Sequence, residues 1–160
     1  MVAVLVMIGL VVALFVAAFL SKRRFGVLGL GLAAGAVVSP IWGENAGYVV
    51  SLTGVVGKGS LVDAIAVALL ILTPAVLFMF HGYTYKHIIG RVVGSLLFTV
   101  LAIAFLVVPI GSIVVFSGPV GNAYNWIVAY RELIISVGVA LAVADFLFAR
   151  TPQKSDKKRR

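Results

Sequence analysis

A chain of 160 residues with 62% hydrophobic and only 11% charged residues has too little polar surface to cover a water-soluble globule. Soluble domains carry about 25% charged residues, so at a mean hydropathy of +1.19 lipid is the expected solvent for most of the chain. The absence of cysteine excludes disulfides, thiolate metal sites, iron–sulfur ligation and thiol nucleophiles together. A net charge of +8 is read first as a question of sidedness in a membrane, and no nucleic-acid partner is expected from it.

The first apolar run, residues 2–20, has no charged side chain and ends at Ser21-Lys22-Arg23-Arg24. It is long enough to span. Its positive charge follows the apolar stretch and a second run comes at once, which is the reverse of a cleavable signal peptide. The second run, residues 25–42, is rich in glycine and alanine and closes at Ser39-Pro40-Ile41-Trp42, with Trp42 suited to an interface. Residues 43–60 mix Glu44, Asn45, Lys58 and five glycines with a short apolar patch, and read as an interfacial segment or loop.

The third run, residues 61–83, carries Asp63 at one end, Pro74 in the middle and His81 near the other. Pro74 removes a backbone donor and should kink the helix. Arg91 opens the fourth run, placed at residues 92–112, with Pro109-Ile110-Gly111 the natural place for it to bend or end. The fifth, residues 127–149, has Asp145 as its only charge beyond Arg131-Glu132. The segment 124–132 either begins that span or lies along the surface as an amphipathic helix.

Five spans alternate sides. One side then receives Lys22, Arg23, Arg24, Lys86, Arg91, Arg150, Lys154, Lys157, Lys158, Arg159 and Arg160, and the other only Lys58 and Arg131. The positive-inside rule orients such a chain with its N-terminus out and C-terminus in. The expected fold is an all-α polytopic transmembrane bundle of residues 1–149, followed by a basic, disordered cytoplasmic tail, residues 150–160. Lys157, Lys158, Arg159 and Arg160 can be drawn to an anionic inner leaflet at about 1 kcal/mol per basic residue, or serve simply as a topogenic anchor.

Small residues recur at helical spacing: Gly31 and Gly35, Gly90 and Gly94, and Ser136, Ala140 and Ala144. Such faces let helices approach closely within one chain, between copies, or against other membrane proteins. Asp145 is the most informative single residue, because an ionisable group in a span is costly. Lying five residues before Arg150, it is expected to be an interfacial carboxylate paired with Arg150 or Arg91; a proton or ion relay is the alternative. His81 is expected to hydrogen-bond a neighbouring helix or the interface, with proton carriage as its alternative. No nucleophile elbow and no catalytically spaced carboxylates occur, and His81 and His87 do not have the i, i+4 spacing of a metal pair. Neither an enzyme nor a cofactor is implied.

Over roughly residues 1–112 the order of features resembles the colicin V production protein family of bacterial inner-membrane proteins. The likeness lies in a first span ending at the basic, glycine-containing junction Lys22-Arg23-Arg24-Phe25-Gly26, a glycine-rich second span, an interfacial stretch, a third span, and a fourth opening with Gly90 and Gly94. The family commonly has a glycine between the basic residues of that junction and has four spans, where this chain has none and five. The resemblance implies a multi-pass inner-membrane protein that assists export or envelope maintenance without catalysis. The alternative reading is a small oligomeric channel or transporter subunit using Asp145, His81 and the Pro74 kink along a polar path.

Overall fold

The computed structural model describes residues 2–52, 59–80, 84–85, 87–114, 116 and 118–148. They form six helices: α1 (Val2–Ser21), α2 (Phe25–Leu52), α3 (Ser60–Phe80), α4 (Ile88–Gly111), α5 (Gly118–Ala129) and α6 (Arg131–Leu147). Among the described residues there is no strand, only an isolated antiparallel bridge between Arg23 and Thr84. The protein is all-α. Helices α1, α2, α3 and α4 are long and apolar enough to cross a membrane, and α5 with α6 makes a fifth if that bent pair is one span.

Three boundaries differ from the sequence reading. Helix α2 runs through Pro40 to Leu52, so the first part of the stretch read as an interfacial segment or loop is helix continuous with the second span. At 28 residues it is about 42 Å long, more than a hydrocarbon core requires. Helical closure keeps backbone groups paired as the chain leaves an apolar phase, which offsets the weak propensity of its glycines. Helix α4 begins at Ile88 rather than residue 92 and ends at Pro109-Ile110-Gly111, where a break was expected. The region read as the fifth span is not one straight helix: α5 and α6 meet at Tyr130 with a 65° bend.

Pro40 and Pro74 are accommodated differently. Pro40 cannot donate to Ala36 O, and Ser39 Oγ donates to that oxygen at 3.2 Å. Pro74 likewise leaves Leu70 O without its helical donor, and α3 continues through it. That carbonyl faces Gly35 of α2, where an added Cβ would lie 2.7 Å from Leu70 O and still closer to Ile71 O. Gly35 and Gly31, which abuts Ala75 and Phe78, thus let α2 and α3 approach backbone to backbone.

The interior consists of Leu14 and Ala18 from α1, Phe25, Leu28 and Leu32 from α2, Ile71 and Ala75 from α3, Phe98, Leu101, Ala102, Phe105 and Leu106 from α4, and Ala142 from α6. Helix α6 meets this core through Gly138, set against Leu101, and Ala142, set against Gly26 and Gly29. Helix α1 packs mainly on α4 and leaves Leu5, Ile8, Val12 and Leu20 exposed. Apolar side chains therefore cover the outside as well as the core, as a helical bundle in lipid requires.

Candidate functional site at the charged junction

Where α1 ends and α2 begins, the chain reverses through Lys22, whose φ of 57° puts it in the left-handed region. Tyr85 N–H donates to Lys22 O at 3.0 Å, tying this turn to the link before α4. The ends of α1, α3 and α6 and the beginnings of α2 and α4 gather here, at what we call the basic end.

Each described arginine at this end meets the C-terminal end of a helix, the negative end of its dipole. Arg23 donates from Nε to Met79 O at 2.9 Å and from Nη2 to Phe80 O at 2.7 Å, capping α3. Arg91 donates from Nη2 to Phe19 O at 2.9 Å, and its guanidinium lies 4.4 Å from the centroid of the Phe19 ring. Arg24 pairs with Asp145 in the last turn of α6, Nη2 to Oδ1 at 2.8 Å, with side-chain exposures of 21% and 19%. The Nε atoms of Arg24 and Arg91 are enclosed without a partner, a cost these two arginines carry.

Asp145 does more than neutralise Arg24. Its Oδ2 accepts Gly26 N–H at 2.8 Å and the Tyr85 hydroxyl at 3.4 Å, while Phe25 N–H donates to the same hydroxyl at 3.1 Å. Phe25 and Gly26 carry the first N–H groups of α2, which have no partner within their own helix. Asp145 therefore acts as an N-terminal cap supplied from another helix, favoured by the positive end of the α2 dipole. Burial pushes the Tyr85 hydroxyl above its ordinary pKa, and the negative charge of Asp145 acts in the same direction. The phenol thus holds its proton and can donate to Asp145. A lateral cleft of about 360 Å³ opens beside Tyr85 and Asp145, with Phe25, Gly90, Leu97 and Leu141 among its walls.

The chain matches no family model, no curated protein and no solved structure. Its chemistry has to be read from its own geometry.

The residues singled out from sequence are distributed as follows. Gly31 and Gly35 face α3. Gly90 and Gly94 face not a neighbouring backbone but the ring of Tyr85, which lies 2.9 Å and 2.6 Å from their added Cβ positions. Ser136 and Ala140 are exposed and Ala144 half-buried; the small residues of α6 that pack inside the chain are Gly138 and Ala142, two positions along. The partner of Asp145 is Arg24, whereas Arg91 caps α1 and Arg150 lies outside the described residues. His81, Lys157, Lys158, Arg159 and Arg160 also lie outside them. Among the described residues no three carboxylate or imidazole groups converge to hold a metal.

Sequence reasoning missed Tyr85, Gly26 and the role of Arg24. The one signal was Gly26 following a basic triplet, which marks a place where another backbone can come close: an added Cβ would lie 2.6 Å from both Ala142 O and Phe146 N.

The opposite end is built differently. There Tyr124 donates to Val107 O at 3.3 Å and packs against Phe116 and Gly111, while the rings of Trp126 and Tyr130 meet at a tilt of 45°. Arg131, at the bend, donates from Nε to Ala104 O at 3.3 Å. A cleft of about 510 Å³ lies beside it, among α2, α3, α4 and α6.

Proposed function

We propose that the chain is a five-span inner-membrane protein of bacteria, N-terminus out and C-terminus in, that assists export or envelope maintenance as a non-enzymatic scaffold. The observation that carries this reading is the use made of the charged groups at the basic end. Arg23, Arg24, Arg91 and Asp145 are each bound to the end of another helix, so they tie helices together rather than stand poised toward a substrate. In this orientation the basic end is cytoplasmic, and the tail with Lys157, Lys158, Arg159 and Arg160 lies against the anionic inner leaflet. The resemblance to colicin V production proteins supplies the export or envelope role. The exposed faces of α1 and α6 are where further copies or other membrane proteins would pack.

Two experiments test this. Because the chain has no cysteine, single cysteines at Asn45 and Asn122 should react with an impermeant maleimide in intact cells, whereas those at His87 and Ser155 should not. Labelling of Ser155 without lysis would reverse the orientation. For the role, a strain lacking the protein should become permeable to bile salts or secrete less of an exported reporter, with both restored by the wild-type chain. No change in either would remove the export and envelope reading.

A second reading, a small oligomeric channel or transporter subunit, is favoured by one observation: the α5–α6 bend places Arg131 beside a cleft. A route onward to the basic end would have to pass the buried layer of Leu32, Phe98, Leu101 and Ala102. Ion or solute flux in vesicles reconstituted with the purified chain would favour this reading over the scaffold.

A further inference from the structure

Two charges on α6, Asp145 and Arg131, are treated very differently. Asp145 has a cation, a backbone N–H and a phenol around it. Arg131 has, among the described residues, only the Ala104 carbonyl. Ala104 lies seven residues before the end of α4, roughly 10 Å along its axis. At the next residue of the same turn, Pro109 withholds the donor that Phe105 O would otherwise receive.

The half-buried guanidinium at the α5–α6 bend therefore carries a positive charge with no carboxylate paired to it among the described residues. Asp63 and Glu132 are candidates whose side chains are described. Both side chains are exposed, Asp63 at the start of α3 beside an adjoining cleft and Glu132 on the first turn of α6. An unpaired ionisable group in a membrane is costly unless something neutralises it.

The cleft beside Arg131 is otherwise apolar, walled by Ala36, Val67, Ile71, Phe105, Ile135 and Val139. Ser39, also on its wall, has its hydroxyl proton committed to Ala36 O. At about 510 Å³ the volume is within the range of roughly 300–1,000 Å³ typical of small-molecule sites. One cation at the edge of a long apolar surface complements a ligand with an anionic head and a hydrocarbon tail. A free inorganic anion would satisfy Arg131 but leave the walls uncovered.

We propose that this cleft binds a phospholipid of the surrounding bilayer, its phosphodiester on Arg131 and an acyl chain along the walls contributed by α2, α3, α4 and α6. The proposal rests on the membrane placement of the helices and not on the export role. Cysteine labelling tests that placement separately. The bound lipid takes the place of the missing carboxylate and holds the α5–α6 bend against the bundle.

The test uses the full chain purified from membranes in a mild detergent, with retained phospholipid counted by native mass spectrometry. Wild type should keep one phospholipid per chain through exchange into fresh detergent, and Arg131→Gln should retain at least tenfold less. Arg131→Lys, which keeps the charge but loses the planar fork, should fall between them. Val108→Phe, adding bulk to a residue on the cleft wall while leaving Arg131 intact, should also lower retention, so the proposal can be judged even if Arg131→Gln fails to fold. Retention unchanged in Val108→Phe, or equal in wild type and Arg131→Gln, would overturn it. Ready displacement by millimolar inorganic phosphate would overturn the lipid assignment by showing a free-anion site.

Discussion

The two ends of this bundle treat polar groups in opposite ways. At the basic end five helix termini converge, and arginines, a carboxylate and a phenol are consumed in joining them. At the other end a helix bends, a cleft stays open, and Arg131 meets one carbonyl. The lesson concerns what charge does in an apolar solvent. A charged group can cross-link helices there if partners are built around it; otherwise it marks a place where something else must bind.

The sharpest way to probe the comparison is with glycines. Gly26→Ala at the basic end forces a Cβ onto the α6 backbone next to Asp145 and should cost about 3 kcal/mol, because neither backbone can yield easily. Gly43→Ala toward the other end meets only Val67 Cγ2 at 3.4 Å and should be neutral or gain up to about 1 kcal/mol from helix propensity. Thermal unfolding in detergent compares the two. Equal losses would mean that the basic end is no more tightly built than the other.

Next in size is Tyr85. Its pKa is raised in the folded state, so the folded chain binds this proton more tightly than the unfolded chain does. That contribution is complete below the unfolded value of about 10 and is lost as pH rises through the folded value. Tyr85→Phe should cost about 1 kcal/mol at neutral pH for the lost hydrogen bonds and remove part of the alkaline destabilisation seen in wild type. Identical stability curves from pH 8 to 11 would show that the phenol is not part of the junction.

The smallest expected effect is at Lys22. Its left-handed backbone favours glycine, which is relieved of steric strain but loses more entropy on folding. Lys22→Gly should gain about 0.5 kcal/mol. A loss of 1 kcal/mol or more would mean that the Lys22 side chain holds the turn by a contact of its own.

Much of the helix pattern was legible because uncharged runs of membrane-spanning length leave the chain few alternatives. The starts of α1 and α2 and the end of α4 needed no tertiary knowledge. The bend at Tyr130 was legible only as an alternative, a surface segment over residues 124–132, since Tyr130-Arg131-Glu132 contains neither proline nor glycine to mark a break. For a related reason, the face of α6 that packs inside the chain was not legible. Ser136-Ala140-Ala144 and Gly138-Ala142 are both small at helical spacing, and only the position of Leu101 and Gly26 selects the second. For Asp145, Arg150 and Arg91 were natural partners by proximity to the same boundary. Arg24, 121 residues away, becomes the partner because α2 starts where α6 ends.

The central claim is that Arg24 and Asp145 form one structural unit joining α2 to α6. A double-mutant cycle of Arg24→Gln and Asp145→Asn, read as unfolding free energy in detergent, tests it most directly. Each single change should cost about 2 kcal/mol, and the pair should cost clearly less than their sum, giving a coupling of about 1–2 kcal/mol. Strictly additive losses, or an Asp145→Asn chain as stable as wild type, would contradict the account.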